Sequence, residues 1–268
     1  MSKEIQSIIA RSNTPVLTSY GEFTPTKIFL SLIHNPHETG WFFPTGDPEL
    51  WKFSDKLLVP GGRALDLGVG DGRTSLPFAL RDMHVTGYEI DPNNLILIRA
   101  IQKEYDLPID IKEQDITEAD LGKEQYDTVI LGQTFAHFSN KEQALKVLEK
   151  AIEAIKPGGH IWLRAGGKSS SAFEDLHDYS LDYPQEVQRV DNNVYMAPCS
   201  CSGERIIEPQ LFFDPLELPL FVGEKGLKIV HTQIIPEKGK MNIMYGEDWN
   251  RLQEPARLGG MITLIAKK

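Results

Sequence analysis

Between about residue 60 and residue 165, short apolar runs of strand length alternate with longer stretches whose apolar positions return every three or four residues. That alternation predicts strand–helix–strand units, hence a parallel sheet joined by right-handed crossovers. Residues 91–106 read as a helix that starts at Asp91 and Pro92. Residues 140–159 read as the clearest helix, capped by Asn140 and closed by Lys156-Pro157-Gly158-Gly159. Pro77 must lie in the first turns of the helix after Arg73 or kink it, because a deeper proline costs about 3 kcal/mol.

The flanks read differently. Residues 1–55 form a leader with helical periodicity at 3–12 and 26–35, a loop around Trp41, Phe42 and Phe43, and a helix over 47–58. Residues 166–213 lack a periodic segment until about Arg205, where a strand over 205–213 is predicted. A structureless stretch of that length inside a compact domain is unusual unless functional or disordered. Asp214, Pro215 and Glu217 then read as a helix start, with Glu217 at the third helical position.

Candidate chemistry concentrates in residues 64–74, ALDLGVGDGRT. A short apolar run carries Asp66; Gly68, Gly70 and Gly72 alternate; a helix follows. Such a turn exposes bare backbone to a ligand beside free helix N–H groups. In the dinucleotide fingerprint a third glycine would stand at position 73, where this chain has Arg73. Asp66 would repel a pyrophosphate and pair with a cationic amino group, so a nucleotide bearing an amino acid fits better than NAD. The alternative is an ordinary glycine turn with no ligand. Glu89 ends the next strand-like run, 84–91 (HVTGYEID), where a carboxylate reaches ribose hydroxyls in such units; otherwise it is a solvated strand end.

These motifs, taken together, resemble the class I S-adenosylmethionine-dependent methyltransferases, well over residues 55–165 and loosely over 205–268. IDIKEQDI (109–116) resembles their third strand, YDTVILGQTFAHF (126–138) the fourth strand and its loop, and KPGGHIWL (156–163) the fifth. GLKIVHTQII (226–235) and GGMITLIAKK (259–268) resemble the closing antiparallel pair. The glycine loop is also similar, over about six residues, to that of tellurite-resistance-type methyltransferases. The resemblance implies an α/β, Rossmann-like, seven-stranded, mostly parallel sheet with an antiparallel C-terminal strand. It implies a helical and aromatic lid at 1–55, a cofactor-binding core at 56–165, a substrate-cap insertion at 166–213 and the rest of the core sheet at 214–268. Its cofactor is S-adenosylmethionine, and Asp66, Gly68, Val69, Gly70, Gly72, Glu89, Ile90, Asp115, Ile116 and Gln133 are the implied binding positions. Asp115 would meet the adenine amino group. Gln133 either contacts the cofactor or is a polar loop residue.

Composition narrows the partners. The chain has 268 residues, is 41% hydrophobic and carries a formal charge of −10. That balance disfavours a nucleic-acid backbone as partner, and no run approaches the roughly 18 apolar residues of a membrane span. The N-terminus lacks the layout of a signal peptide, and two cysteines, Cys199 and Cys201, fit a reducing compartment, so a cytoplasmic location is expected. Two cysteines one residue apart do not make a metal site, and none is expected. From Gly166 to Ser200 six acids face two bases, which favours a cationic acceptor or is a solvated face.

The expected reaction is direct, in-line methyl transfer to a small molecule, at an amine or a hydroxyl. Much of the rate would come from alignment. His137 is the candidate general base; the alternative is a packing or loop-bonding histidine. His160 and His231 fall in strands, whereas His177, Tyr179 and Tyr183 lie in the insertion. Two further readings remain: methylation of protein or RNA, and a non-catalytic S-adenosylmethionine-binding protein.

Overall fold

The computed structural model describes residues 16–18, 21–23, 50, 53–70, 72, 74–92, 94–95, 98–99, 102–103, 106–168, 187–199, 206–234 and 261–268. The predicted helices at 3–12 and 26–35, the aromatics Trp41, Phe42 and Phe43, the acids at 174–186 with His177, Tyr179 and Tyr183, and Cys201 lie outside these residues. The chain divides into two compact units, Met1–Ile130 and Leu131–Lys268.

In the first unit, β1 (Val16–Thr18) and β2 (Gly21–Phe23) form an antiparallel hairpin, where the leader's apolar pattern suggested only helix and loop. The helix predicted over 47–58 is described at Leu50 and in α1 (Ser54–Leu57). β3 (Arg63–Leu67), α2 (Ser75–Ala79), β4 (His84–Glu89), β5 (Ile109–Glu113) and β6 (Tyr126–Gly132) follow. The strands lie in the order β5-β4-β3-β6, all parallel, with Leu65 beside both Thr86 and Val129. β3 and β4 bury four residues in succession, the run expected of strands covered on both faces. Pro77 is the third residue of α2, where its missing N–H removes no intrahelical bond. Leu95, Ile98, Arg99, Gln102 and Lys103 are helical, as the pattern over 91–106 predicts.

In the second unit, a 3-10 turn (Thr134–His137) leads to α3 (Lys141–Ala154), β7 (Ile155–Gly167), β8 (Gln188–Arg189), β9 (Val194–Cys199), β10 (Ile206–Phe213), α4 (Glu217–Glu224), β11 (Lys228–Ile234) and β12 (Met261–Lys267). β12 runs antiparallel to β7 from Met261 beside Gly166 to Lys267 beside His160, and β11 pairs antiparallel with β12. The predicted closing pair is therefore formed. The parallel strands β3 to β6 of the first unit and the strands β7, β11 and β12 of the second, with β12 antiparallel, are the seven strands of the predicted mostly parallel, Rossmann-like pattern. β8, β9 and β10 add an antiparallel ribbon that registers with β7 in parallel, at Phe212–Gly166 and Phe213–Gly167. β8 and β9 were not legible as periodic segments, because β8 has two residues and β9, VYMAPC, does not alternate and contains Pro198. No helix among the described residues is long and apolar enough to cross a membrane.

α3 shows how local signals set an element. Asn140 is extended, and its side-chain oxygen accepts from the Gln143 N–H at 3.1 Å. Ala144, Val147, Leu148, Ala151 and Ile152 form one buried stripe; burying Val147, Leu148 and Ile152 contributes roughly 1.5–3 kcal/mol each. The helix ends at Ala154, not at Gly159 as predicted, since Pro157 pushes Lys156 out of helical backbone and Gly158 turns at φ 83°. The Lys268 ammonium then donates to the Ile155 carbonyl at 2.9 Å and to those of Ile152 and Glu153 at 3.4 Å, capping the helix end. Glu217 is the first residue of α4 and not the third, and its carboxylate accepts from the Asp214 N–H at 3.3 Å in the turn that leads into the helix.

Replacing Asn140 by Ala is expected to lower stability by about 1 kcal/mol. Denaturant unfolding checks this: the midpoint should fall with the slope unchanged, and an unchanged midpoint would mean that α3 does not depend on its cap.

Candidate functional site

The glycine loop is fastened from below by a buried carboxylate. Asp66, near the end of β3, is fully buried. Its Oδ2 accepts from the Thr74 hydroxyl at 2.5 Å and the Ser75 hydroxyl at 2.7 Å. A carboxylate in an apolar interior is costly unless hydrogen-bonded, and these two hydroxyls supply bonds of the stronger, charge-assisted kind. Thr74 precedes α2 but caps nothing with its side chain, because its hydroxyl is turned to Asp66. Strand end and helix start are thus tied together, and the loop between them must turn within residues 68–73. The carboxylate expected to meet a cationic amino group therefore carries an internal duty.

Other contacts fix the loop's path. The N–H groups of Gly68 and Val69 both donate to the Tyr88 carbonyl on β4, at 2.9 Å. Val69 is buried, and a Cβ on Gly87 would come within 3.0 Å of its side chain. Gly72 has φ +90°, and a Cβ there would meet Ile98 Cδ1 at 2.7 Å, so packing on the following helix also demands glycine. At Gly70, φ +51°, a Cβ would find nothing within 4 Å except Glu89 Oε2, at 4.0 Å. This backbone faces open space beside one carboxylate.

Glu89 ends β4, where the spacing predicts it. Its Oε2 accepts from the Gly70 N–H at 3.0 Å, and its Oε1 from the N–H groups of Ile90 and Asp91 at 2.9 and 3.0 Å. Three backbone donors fix the orientation of a half-buried anion. Ile90, the first residue past β4, is 64% exposed, an unusual position for a large apolar side chain. Asp115 stands two residues beyond β5, not within a strand. Its Oδ1 accepts from the Thr117 N–H at 2.8 Å, which makes a tight turn and buries Ile116. The first unit thus holds the predicted positions Asp66 to Asp115 at the ends of three neighbouring parallel strands and in the turns that follow them.

Gln133 and His137 belong to the second unit. Gln133 has φ 67°, rare for a residue with a side chain; its N–H donates to the Arg164 carbonyl at 3.0 Å. Its side-chain nitrogen is buried without a hydrogen bond. Strain and an unsatisfied amide on one residue are features that cluster at functional sites. His137 ends the 3-10 turn with its side chain 58% exposed, and its Nδ1 lies 3.5 Å from Glu208 Oε2 on β10. The His137 imidazole holds the Glu208 carboxyl below the usual carboxylate range, against partial burial, which pushes it up.

Three residues escaped the sequence reading. Thr74 and Ser75 follow the glycines directly, and two hydroxyls behind a buried acid were the available signal. Glu208 stands 71 positions from His137 and showed only as an acid in a mostly apolar strand that also carries Gln210. His160 and His231 do lie in strands, β7 and β11.

Residues 64–159 match the family described as methyltransferase domain. A ubiquinone biosynthesis O-methyltransferase from Marinobacter nauticus is 28% identical over 122 residues, 44% of this chain and 50% of that protein. A probable S-adenosyl-L-methionine-dependent methyltransferase, TehB, from Haemophilus influenzae is 29% identical over 105 residues, 39% of this chain and 36% of that protein. The chain spans about half the length, or less, of these curated relatives. Among solved structures, a SAM-dependent methyltransferase from Methanosarcina mazei shares the fold with a TM-score of 0.59 at 16% identity, over 80% of this chain and 95% of that one. TehB of Haemophilus influenzae does so at 0.56 and 18%, over 90% and 66%. Residues 64–159 are thus similar to methyltransferase domains, the fold is that of S-adenosylmethionine-dependent methyltransferases of class I, and the TehB-type likeness read from the glycine loop is present as well. S-adenosylmethionine is the cofactor of this class.

Thr74→Val removes one of the two donors to the buried Asp66 carboxylate and is expected to cost about 1–3 kcal/mol. Thermal and chemical unfolding check it; a variant as stable as the parent would show that Asp66 does not depend on this bond.

Proposed function

We propose that this protein is an S-adenosylmethionine-dependent methyltransferase acting on a small-molecule acceptor at a hydroxyl or amine. The observation that carries the reading is the Glu89 carboxylate, held by three backbone N–H groups beside the open backbone of Gly70. The residues fit the group. A ribose offers two hydroxyl donors, and Glu89 is an oriented acceptor at the end of β4. A flat base has an exposed apolar side chain to lie on, Ile90, and its amino group has Asp115 Oδ2, which makes no hydrogen bond among the described residues.

Each residue's part follows from its contacts. Asp66 shapes the loop from beneath through Thr74 and Ser75. Gly70 leaves room for a ligand to approach the backbone, and Gly72 lets the loop pack on Ile98. A carboxylate has about four acceptor positions, and Glu89 already uses three on backbone donors, so ribose hydroxyls must share or displace the bond from Gly70. Gln133 brings an amide whose nitrogen is unsatisfied. When bound, S-adenosylmethionine supplies a methyl group on a sulfonium that is already electrophilic, which leaves alignment and proton handling to the protein. The relative's printed name, an O-methyltransferase, supports a hydroxyl acceptor. The net charge of −10 weighs against RNA.

Calorimetric titration tests the reading. Saturable binding of S-adenosylmethionine with none of NAD is expected; NAD binding alone would overturn the assignment of Asp66 and Glu89. Glu89→Ala should weaken S-adenosylmethionine binding by roughly tenfold or more, the loss of a charge-assisted bond of about 1.5–3 kcal/mol; unchanged affinity would remove the ribose assignment. Gly70→Val should abolish binding, since its side chain occupies the space over the loop and its backbone must hold φ +51°.

A further inference from the structure

We propose that Lys228 and Lys267, with His160 beside them, form a binding site for a dianionic phosphate group, of the kind carried by inorganic phosphate and by phosphate monoesters. All three residues belong to the second unit. The site stands apart from the methyltransferase reading, because S-adenosylmethionine carries no phosphate.

Strand register builds the site. Lys228 of β11 is the direct cross-strand partner of Lys267 of β12, and Lys267 is in turn the partner of His160 of β7. Direct partners project from one face of a sheet, and neighbouring strands lie about 4.8 Å apart. Three nitrogen-bearing side chains therefore stand in a row across three strands, with the two lysines adjacent. Both lysines are exposed, and His160 is half-buried.

Two lysines set directly opposite each other are a local cost, since like charges there repel. No acid answers them from within the sheet: β7, β11 and β12 contain no Asp or Glu. Among the described residues no carboxylate lies within ion-pair distance of Lys228 or Lys267, whereas Lys141, Lys168 and Lys225 of the same unit pair with Glu217, Asp214 and Glu149. The Lys268 ammonium, next in the chain, is turned to the carbonyls that end α3. Acids are not scarce, for the chain has 38 against 28 bases, yet this pair has none.

The same shortage recurs one step along the face. Trp162 lies two residues from His160 and so projects from the same side of β7. It is fully buried, and its indole N–H finds no acceptor among the described residues. Cationic and neutral donors without acceptors are the complement of an oxyanion.

Charge selects the ligand. Two adjacent ammonium groups are matched by two negative charges on one centre. A phosphate monoester loses its second proton near pH ~6 and then carries both. Its oxygens are shared between the ammonium groups of Lys228 and Lys267, and one is left for a ring N–H of His160. A phosphate diester, or the diphosphate bridge of a dinucleotide, carries one charge per phosphorus and leaves one ammonium unanswered. A bound dianion also ties β11 to β12 at the edge of the closing pair.

Proton–nitrogen correlation NMR of the full chain tests this, at mildly alkaline pH and constant ionic strength, with methyl phosphate and its diester dimethyl phosphate as probes. Methyl phosphate is expected to give saturable shifts centred on the amides of Lys228, Lys267 and His160. Lys228→Gln and Lys267→Gln should each weaken it by roughly tenfold, the loss of one charge-assisted bond, and dimethyl phosphate should bind the parent weaker by a similar factor. Lys146→Gln, on the exposed face of α3, should leave the affinity within about twofold. Both target lysines are exposed, so the variants should keep the parent's spectrum; in thermal unfolding methyl phosphate should then stabilise the parent and not the double variant. Shifts that do not saturate, equal affinity for the two esters, or affinity unchanged in both variants would overturn the site. Sedimentation with phosphatidylcholine vesicles containing a fifth of phosphatidate identifies the source. Capture that is lost in the double variant assigns the site to a lipid headgroup, and methyl phosphate binding without capture assigns it to a soluble monoester. Failure at every probe would leave the methyltransferase reading untouched.

Discussion

A charge buried at the end of a strand has to be answered within its own neighbourhood, and in this protein the answer shapes the site. Asp66 has no access to solvent, and the Thr74 and Ser75 hydroxyls bond to its Oδ2 from the first residues at α2. Those two bonds pull the helix start onto the strand end. The intervening glycines then have little choice of path, and both Gly68 and Val69 close onto the Tyr88 carbonyl. Glu89 meets the same loop from the far side through the Gly70 N–H. One carboxylate beneath and one above leave a strip of bare backbone between them. What this strip can bind follows from the tie at Asp66, because a loop free to wander would not hold Gly70 against Glu89.

The second unit spends its strain at one residue. Gln133 stands in left-handed backbone without being a glycine, and the turn it opens presents His137. Such conformations cost of order 1–3 kcal/mol and persist where the surroundings over-determine them. Here the surroundings are the Arg164 carbonyl on β7 and the Phe135–Phe213 contact with β10. The ribbon of β8, β9 and β10 therefore does more than extend a sheet. It supplies the aromatic surface that seats the turn and the carboxylate that faces its histidine.

Much of this was legible in the residue order. The glycine spacing and the acid 23 positions after Asp66 are plain in the sequence, and the Asn140 cap and the closing strand pair form where the pattern puts them. The misreadings share a cause. The end of α3 was placed five residues late because Lys156-Pro157-Gly158-Gly159 reads as a helix stop, whereas here these residues open β7. The hairpin of β1 and β2 and the two-residue β8 are too short for a period to reveal them, and β9 does not alternate.

What the sequence determined alone is whatever depends on neighbours within a few positions: where a helix caps, where a chain must turn with positive φ, which face of α3 is apolar. These are settled by steric and hydrogen-bond terms that act over one or two turns of chain. The tertiary structure decided the rest. Lys268 reaches the end of α3 across 113 positions, and Glu208 reaches His137 across 71. Such pairings depend on strand order and register, to which every residue of the sheet contributes and which no local pattern encodes.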